Sequence, residues 1–421
     1  MISVIVYLVA AVFVFFLFYR YKETIVIISV FSLVLQMPYL MKNMSLFDFL
    51  AIVSLFVFGL KNKKIDYSYP FMLGSLLVAS SYVFTNLFAP SESHWPTTIL
   101  SFVSVFCFPM LLWQCLKNGD NRLYKLFIRS LLSFLVCIIV YGLYELLTDS
   151  NPAIEYIMDH RESFVASIGL SERERFGIRR LQSFLTYNSA LGVISNMGII
   201  MLCFLWSRQL YLRPKYKVLA IFLVVLSLFT GTRSVYVGLF FALLSFVFVV
   251  KMKLKYVISI SIMAGLFFLI FQSFFEQIYQ SFVDTENVAG SNVEMREGQF
   301  EISYYFMSQT GIFGNGFGFL SYVTENFREE ILGAESVWIP LMVNQGYYGV
   351  FVYAAFLFMS LYYCVRRKYW VCVLTILSFI ATKTLTSAPG INNAYFLIFV
   401  VFFINYTEHH ARYQNRSLLL S

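Results

Sequence analysis

Apolar runs of about 17–25 residues recur along this chain, separated by short polar gaps, and that length is what a helix needs to cross hydrocarbon. In lipid every backbone amide must be satisfied within its own segment, so runs of this kind fold as helices. They fall near 3–19, 24–41, 45–60, 70–89, 97–116, 126–147, 184–206, 216–232, 234–250, 256–280, 335–364, 369–387 and 393–406, which predicts about 13 transmembrane helices. With 59% hydrophobic and 13% charged residues, the composition lies far from that of a soluble domain. The expected fold class is an all-α polytopic membrane protein. The first run has no basic leader or small-residue cleavage site, and Arg20 and Lys22 follow it at once, so it reads as a retained span with its N-terminus outward.

Lysine and arginine occupy alternate gaps: RYK at 20–22, KNKK at 61–64, Lys117 to Arg129, Arg208 to Lys217, KMKLK at 251–255, RRK at 366–368, and the tail. About 21 of the 31 basic residues lie there, and positive loops stay inside. The resulting plan has N-terminal transmembrane helices over 1–147, an outer loop over 148–183 and central helices over 184–280. A larger outer loop over 281–334, C-terminal helices over 335–406 and a cytoplasmic tail over 407–421 complete it.

The net charge of +8 is spread over short loops rather than gathered on one face, which argues against nucleic acid as a partner. Six cysteines, all in apolar runs and without metal-ligand spacing, read as small core residues. His94, His160, His409 and His410 are too dispersed for a cluster. No protein-ligated metal and no cofactor is expected.

Against this background Arg233 stands out as the only charged side chain between Lys217 and Lys251. Such a charge costs roughly 2.5–3.5 kcal/mol on insertion scales. Basic gaps on both sides predict that the chain crosses, turns at Gly231 and returns, which puts Arg233 at the outer face. About 33 residues are few for two spans of about 20, so the turn should stop short of bulk water and recess the arginine as an anion site.

The two long gaps are the other departure, because long connections in compact architectures are usually functional or disordered. The first carries Arg161, Arg173, Arg175, Arg179 and Arg180. The first three either pair with Glu155, Asp159, Glu162, Glu172 and Glu174 or face an anionic ligand. Arg179 and Arg180 precede the helix that opens with Tyr187 and Asn188, and arginine suits bidentate phosphate contact. The mixed charges of SERERFGIRRLQSFLTYN suggest a surface helix. In the second loop a helix is expected from Asn292 to Ser308, carrying Arg296, followed by GIFGNGFGFL. Those glycines make either a sharp turn or a phosphate or sugar cradle. Glu335, at the head of the next apolar run, is either a helix cap or a proton acceptor. Lys383, near the outer end of a span, reads as a snorkelling structural residue. Tyr187, Tyr236, Trp338 and Tyr347 are candidates for stacking on sugar faces, with core or belt packing the plainer reading of each.

Taken in order, these segments resemble a known family. RRLQSFLTYNSALG resembles the Arg-x-x-Gly-x-Phe-x-x-Pro-Asn-x-x-Gly segment of the bacterial O-antigen polymerase (Wzy) and O-antigen ligase superfamily. TGTRSVYVGLF resembles its Thr-x-Ser-Arg span, MREGQFEISYYFMSQTGIFGNGFGFL its Arg-to-Gly-x-Gly-x-Gly loop, and AESVWIPLMVNQGYYGVF its His/Glu-headed helix. The likeness covers roughly 175–365. It departs at Gln182-Ser183, where glycine is common, at Tyr187, where proline is common, and at Thr232-Arg233-Ser234. Glu335 in place of the ligases' histidine favours the polymerase branch.

The resemblance implies a fold similar to C-type glycosyltransferases and a metal-independent transfer on the periplasmic side of the bacterial inner membrane. A glycan would pass from undecaprenyl diphosphate to a hydroxyl of a new lipid-linked repeat unit, with membrane lipids and a chain-length regulator protein as further partners. Arg233 and Glu335 would be catalytic, and Arg233, Arg180, Arg179 and Arg296 would hold the diphosphate. Asn188, Tyr187, Tyr236 and Trp338 would contact substrate. A ligase acting on lipid A core is the near alternative and a lipid-linked oligosaccharide flippase the distant one.

Overall fold

The computed structural model describes residues 2–41, 44–62, 66–89, 95–155, 174–175, 178–185, 187–210, 213–251, isolated positions between 272 and 279, 293–327, 336–384 and 395–419. The expected span at 256–280 lies mostly outside the described residues.

Helices dominate. In chain order they are α1 (Ile2–Tyr19), α2 (Tyr21–Leu35), α3 (Leu46–Lys61), α4 (Met72–Phe88), α5 (Trp95–Phe102), α6 (Phe108–Lys117) and α7 (Asn121–Thr148), then α8 (Asn188–Ser207), α9 (Pro214–Leu228) and α10 (Arg233–Phe248). The C-terminal third adds α11 (Val293–Gln309), α12 (Phe319–Asn326), α13 (Gly346–Arg366), α14 (Trp370–Thr384) and α15 (Tyr395–Leu419). Among the described residues four helical stretches are long and apolar enough to cross a membrane: Thr98–Lys117, Asn121–Thr148, Asn188–Ser207 and Trp338–Arg366. Shorter apolar helices cover Ile5–Tyr19, Met72–Phe88, Arg233–Phe248 and Trp370–Lys383. The protein is an all-α, membrane-embedded bundle.

Several elements depart from the sequence reading. The run expected at 24–41 stops as helix at Leu35, because Pro38 cannot continue one. Tyr39–Met41 instead pairs antiparallel with Met44–Ser45. Ser45 then caps α3: its Oγ accepts from the Asp48 amide at 3.1 Å while the Asp48 carboxylate accepts from the Ser45 amide at 3.2 Å, a reciprocal capping box. The mixed-charge segment expected to be a surface helix contains instead a short antiparallel pairing of Glu174–Arg175 with Ile178–Arg179. The tail assigned to 407–421 continues α15 as helix to Leu419. The helix expected at 292–308 is present at Val293–Gln309.

At the centre of the bundle lies α8, with 94% of its most apolar stretch buried in protein, as befits a helix apolar on every side. It packs on α9, α10 and α14, and α10 against α14 is the most extensive helix pair. Small residues let these backbones approach. A Cβ on Gly192 would lie 2.3 Å from a Val235 methyl, and one on Gly238 would lie 2.3 Å from the Thr382 hydroxyl and 3.0 Å from the Ser378 carbonyl.

Contacts between helix ends give the bundle two distinct poles. At one, Lys22 donates to the Asn118 carbonyl at 3.4 Å, Lys61 donates to the Phe18 carbonyl, and Lys117 pairs with Asp66 at 2.5 Å. Trp206 and Phe246, then Phe248 and Trp370, meet at this pole with ring centroids 5.8 and 6.0 Å apart. The basic gaps thus gather at one end of the molecule. From there α10 runs back to Arg233, about 22 Å along its axis at 1.5 Å per residue, so Arg233 stands at the opposite pole.

Candidate anion site and adjoining cavity

The turn between α9 and α10 is built around Gly231, whose φ of +60° is a left-handed conformation that glycine adopts without strain. The missing side chain also makes room: a Cβ there would lie 2.6 Å from Cγ of Arg180. Arg180 lies across the turn, its Nε 3.5 Å from the Thr230 carbonyl and one terminal nitrogen 3.5 Å from the Thr232 hydroxyl. The Leu181 amide donates to the Phe229 carbonyl at 2.8 Å, which fixes the arginine-bearing strand to the turn.

Beneath these arginines runs a buried polar seam. Asn188, at the start of α8, approaches the Thr230 carbonyl at 3.5 Å, and the Thr232 hydroxyl donates to the same oxygen at 3.1 Å. Deeper in, Ser227 donates to the Asn196 amide oxygen at 3.0 Å, and Asn196 donates to the Val235 carbonyl at 3.3 Å. Polar groups buried in a bundle are tolerated when they satisfy one another, and here they hold the turn at a set height. Arg233 opens α10, half-buried, at the positive end of the helix dipole.

Lys383 joins this pole. Its place follows from the antiparallel pairing of α14 with α10: Phe248 meets Trp370, the Ser378 hydroxyl donates to the Gly238 carbonyl at 2.8 Å, and Thr382 abuts Gly238. One residue further, Lys383 is level with the first turn of α10. It does not snorkel outward as the sequence reading has it. The side chain is 1% exposed, and its Nζ has no hydrogen-bond partner among the described residues. Burial of this kind is a feature of three-dimensional packing that a position near a span end does not reveal. A buried lysine amine with no partner among the described residues is costly to retain.

The Lys383 carbonyl accepts from the Val337 amide at 3.3 Å, and Val337 lines a cavity of about 190 Å³. Tyr82, Ser101, Phe317, Asn344, Gln345 and Tyr353 supply its aromatic and polar lining. Two π-helical turns flank it, Val103–Cys107 and Leu341–Gln345, each beside a proline, and such turns occur often at functional sites. The Ser81 hydroxyl donates to Gln345 Oε1 at 2.8 Å and orients that amide.

The glycine-rich segment proves to be a turn docked on the second π-helical stretch. Gly316 donates to the Asn344 carbonyl at 2.8 Å and Gly314 to the Gly311 carbonyl at 3.1 Å, so these amides serve the fold rather than a ligand. Asn315 donates to the Val343 carbonyl at 2.9 Å.

The remaining sequence candidates divide. Arg180, Arg233 and Asn188 come together. The Tyr236 hydroxyl donates to the Leu228 carbonyl at 2.9 Å and braces α10 against α9. Tyr187 is partly buried against the core, where α8 begins. Trp338 stacks edgewise on Tyr353 at 5.7 Å, behind the cavity wall, and Tyr347 is 45% exposed. Arg296 stands half-buried on α11, which packs against the 338–345 segment. Glu335, Arg161 and Arg173 and the side chains of Arg175 and Arg179 lie outside the described residues.

Glu145 is the residue that sequence reasoning missed. It is 4% exposed, and its carboxylate accepts from the amides of Gln182 at 3.3 Å and Ser183 at 2.7 Å, holding the segment that delivers Arg180. A lone carboxylate in the apolar run 126–147 was the available signal. Among the described residues no three His, Cys, Asp or Glu side chains group as a metal site would require.

Neither protein-family models nor curated protein sequences match this chain. Fold and site together define a helical membrane-embedded protein with a cation cluster at the pole opposite its basic loops.

Lys383→Met tests whether that cluster is for binding. Removing a buried amine with no partner among the described residues is expected to raise the thermal midpoint in detergent while weakening inorganic diphosphate binding at least ~10-fold. A drop in both would make the lysine structural.

Proposed function

We propose that this protein is a surface-polysaccharide polymerase of the O-antigen polymerase type, moving a glycan from undecaprenyl diphosphate to a hydroxyl of a new lipid-linked repeat unit. The observation that carries this reading is the convergence of Arg180, Arg233 and Lys383 at one pole, next to a small cavity lined by aromatic rings and amides. On this reading the chain has about 13 spans, the cluster faces the periplasm from the inner membrane, and 148–183 and 281–334 are the outer loops.

The chemistry asks for two neighbouring half-sites. An acceptor hydroxyl attacks the anomeric carbon of the growing chain, and the carbon–oxygen bond to the diphosphate breaks with its electron pair leaving on phosphate. Fixed cations at low dielectric stabilise the charge that builds there, and they do so before the reaction begins, at no reorganisation cost. The hydroxyl proton passes to Glu335, two residues before Val337 in the chain. Tyr82, Phe317 and Tyr353 offer faces for a sugar ring, and Asn344 and Gln345 offer hydrogen bonds to its hydroxyls.

Deletion of the gene followed by lipopolysaccharide electrophoresis tests the reading. A single repeat on the core is expected. Uncapped core with polymer retained on carrier lipid would replace polymerase by ligase.

A further inference from the structure

At the basic pole, well away from the cation cluster, a groove of about 680 Å³ opens on the flank of the bundle between α1, α2 and α7. Its volume is that of a ligand site, roughly 300–1,000 Å³. Arg20, Arg122, Lys125 and Arg129 line it, with Glu23 as the only acidic residue in the lining. On α7 the positions 122, 125, 126 and 129 share one face, and Arg129 lies about 12 Å along the helix from Asn121, so the cations reach below the rim. Arg20 is the single non-helical residue between α1 and α2. Among the described residues none of the four cations is ion-paired, and Glu23 bridges none of them.

The inner part of the groove is apolar, formed by Phe13, Phe16 and Leu126. It continues onto the open face of α1, where Val12 is 46% and Phe16 is 45% exposed. A soluble anion would satisfy the cations and leave this wall bare. A molecule with a phosphate head and a hydrocarbon chain meets both halves at once.

We propose that this groove is a specific site for an anionic phospholipid, its phosphate head group held by Arg20, Arg122, Lys125 and Arg129 and one acyl chain lying along Val12 and Phe16. Basic pockets between spanning helices, at the level of the head groups, take anionic lipids in this way. The formal excess of three positive charges matches a two-phosphate head group, as in a diphosphatidylglycerol, better than a single phosphate. Arg213, Lys215 and Lys217, exposed at the start of α9, are as accessible as the groove's cations but are not among the residues that line it.

The test is native mass spectrometry of the full chain in detergent, titrated with diphosphatidylglycerol and, separately, with phosphatidylcholine. The parent is expected to retain the anionic lipid and not the zwitterionic one. The Arg122→Gln, Lys125→Gln, Arg129→Gln triple variant should bind it on the order of 100-fold more weakly, at about one kcal/mol per basic residue. Those charges also orient the chain, so Leu126→Trp, which fills the groove and keeps every charge, tests the site alone and should lose the lipid while keeping the parent's thermal transition. Equal retention of phosphatidylcholine would overturn the proposal. So would full retention by Leu126→Trp, an equal loss on substituting Arg213, Lys215 and Lys217, or displacement of the phospholipid by equimolar polyprenyl diphosphate.

Discussion

Arg233→Lys is expected to reduce glycan polymerisation on the order of 100-fold or more, the scale of losing one preorganised donor at a developing oxyanion. The positive charge survives this substitution; the planar fork does not. A lysine at the head of α10 offers a point charge on a flexible stem, unable to grip two phosphate oxygens in parallel. The bonds of the seam below it, Asn188 to the Thr230 carbonyl, Ser227 to Asn196 and Asn196 to the Val235 carbonyl, are made by other side chains, so the fold should persist. The measurement is the ladder of chain lengths on electrophoresis, paired with a thermal transition in detergent. A normal ladder would sink the diphosphate-clamp reading, and a lost ladder with a lowered transition would assign the loss to folding.

Gly314→Ala is expected to destabilise the cavity wall by about 2–5 kcal/mol, combining left-handed strain of roughly 1–2 kcal/mol with overpacking of roughly 1–3 kcal/mol. Gly314 has φ +78°, and a Cβ there would lie 2.5 Å from the Gly346 amide nitrogen and 2.6 Å from the Asn344 carbonyl oxygen. Both obstacles are backbone, so no rotamer change relieves them. Gly346 is constrained in the mirror sense, at φ +64° with its own Cβ position 2.6 Å from the Gly314 nitrogen. The two glycines hold the 311–318 turn against the π-helical stretch that presents Asn344 and Gln345. Thermal unfolding of the variant should start earlier, with amide exchange at 311–320 and 341–348 accelerated ahead of the α8 core. By contrast Gly311, with nothing within 4 Å of its Cβ position, should accept alanine with little change.

Much of the architecture was legible in the linear chain because the period and length of apolar runs report directly on helices in lipid. The extent of α11 came within one residue of expectation, and Arg233 could be singled out by its isolation alone. The limits are equally physical. Pro38 shortened α2, and the tail beyond 406 stayed helical, since helix ends depend on local capping and packing as well as hydropathy. Whether glycines cradle a ligand or approach another backbone depends on a partner strand or helix that lies elsewhere in the chain, and for Gly314 that partner is Gly346.

By itself the sequence determined that the chain forms apolar helices, that its basic residues segregate into alternate gaps, and that Arg233 and Arg180 belong to a small set of misplaced cations. These are properties of single residues and their spacing. The tertiary structure alone decided which of them meet. It laid Arg180 over Gly231, anchored its strand through Glu145, enclosed Lys383 at the same pole and set a cavity beside it. Burial and placement arise from the packing of α8, α10 and α14, and residues 180, 233 and 383 come to one pole only once those helices have closed on one another.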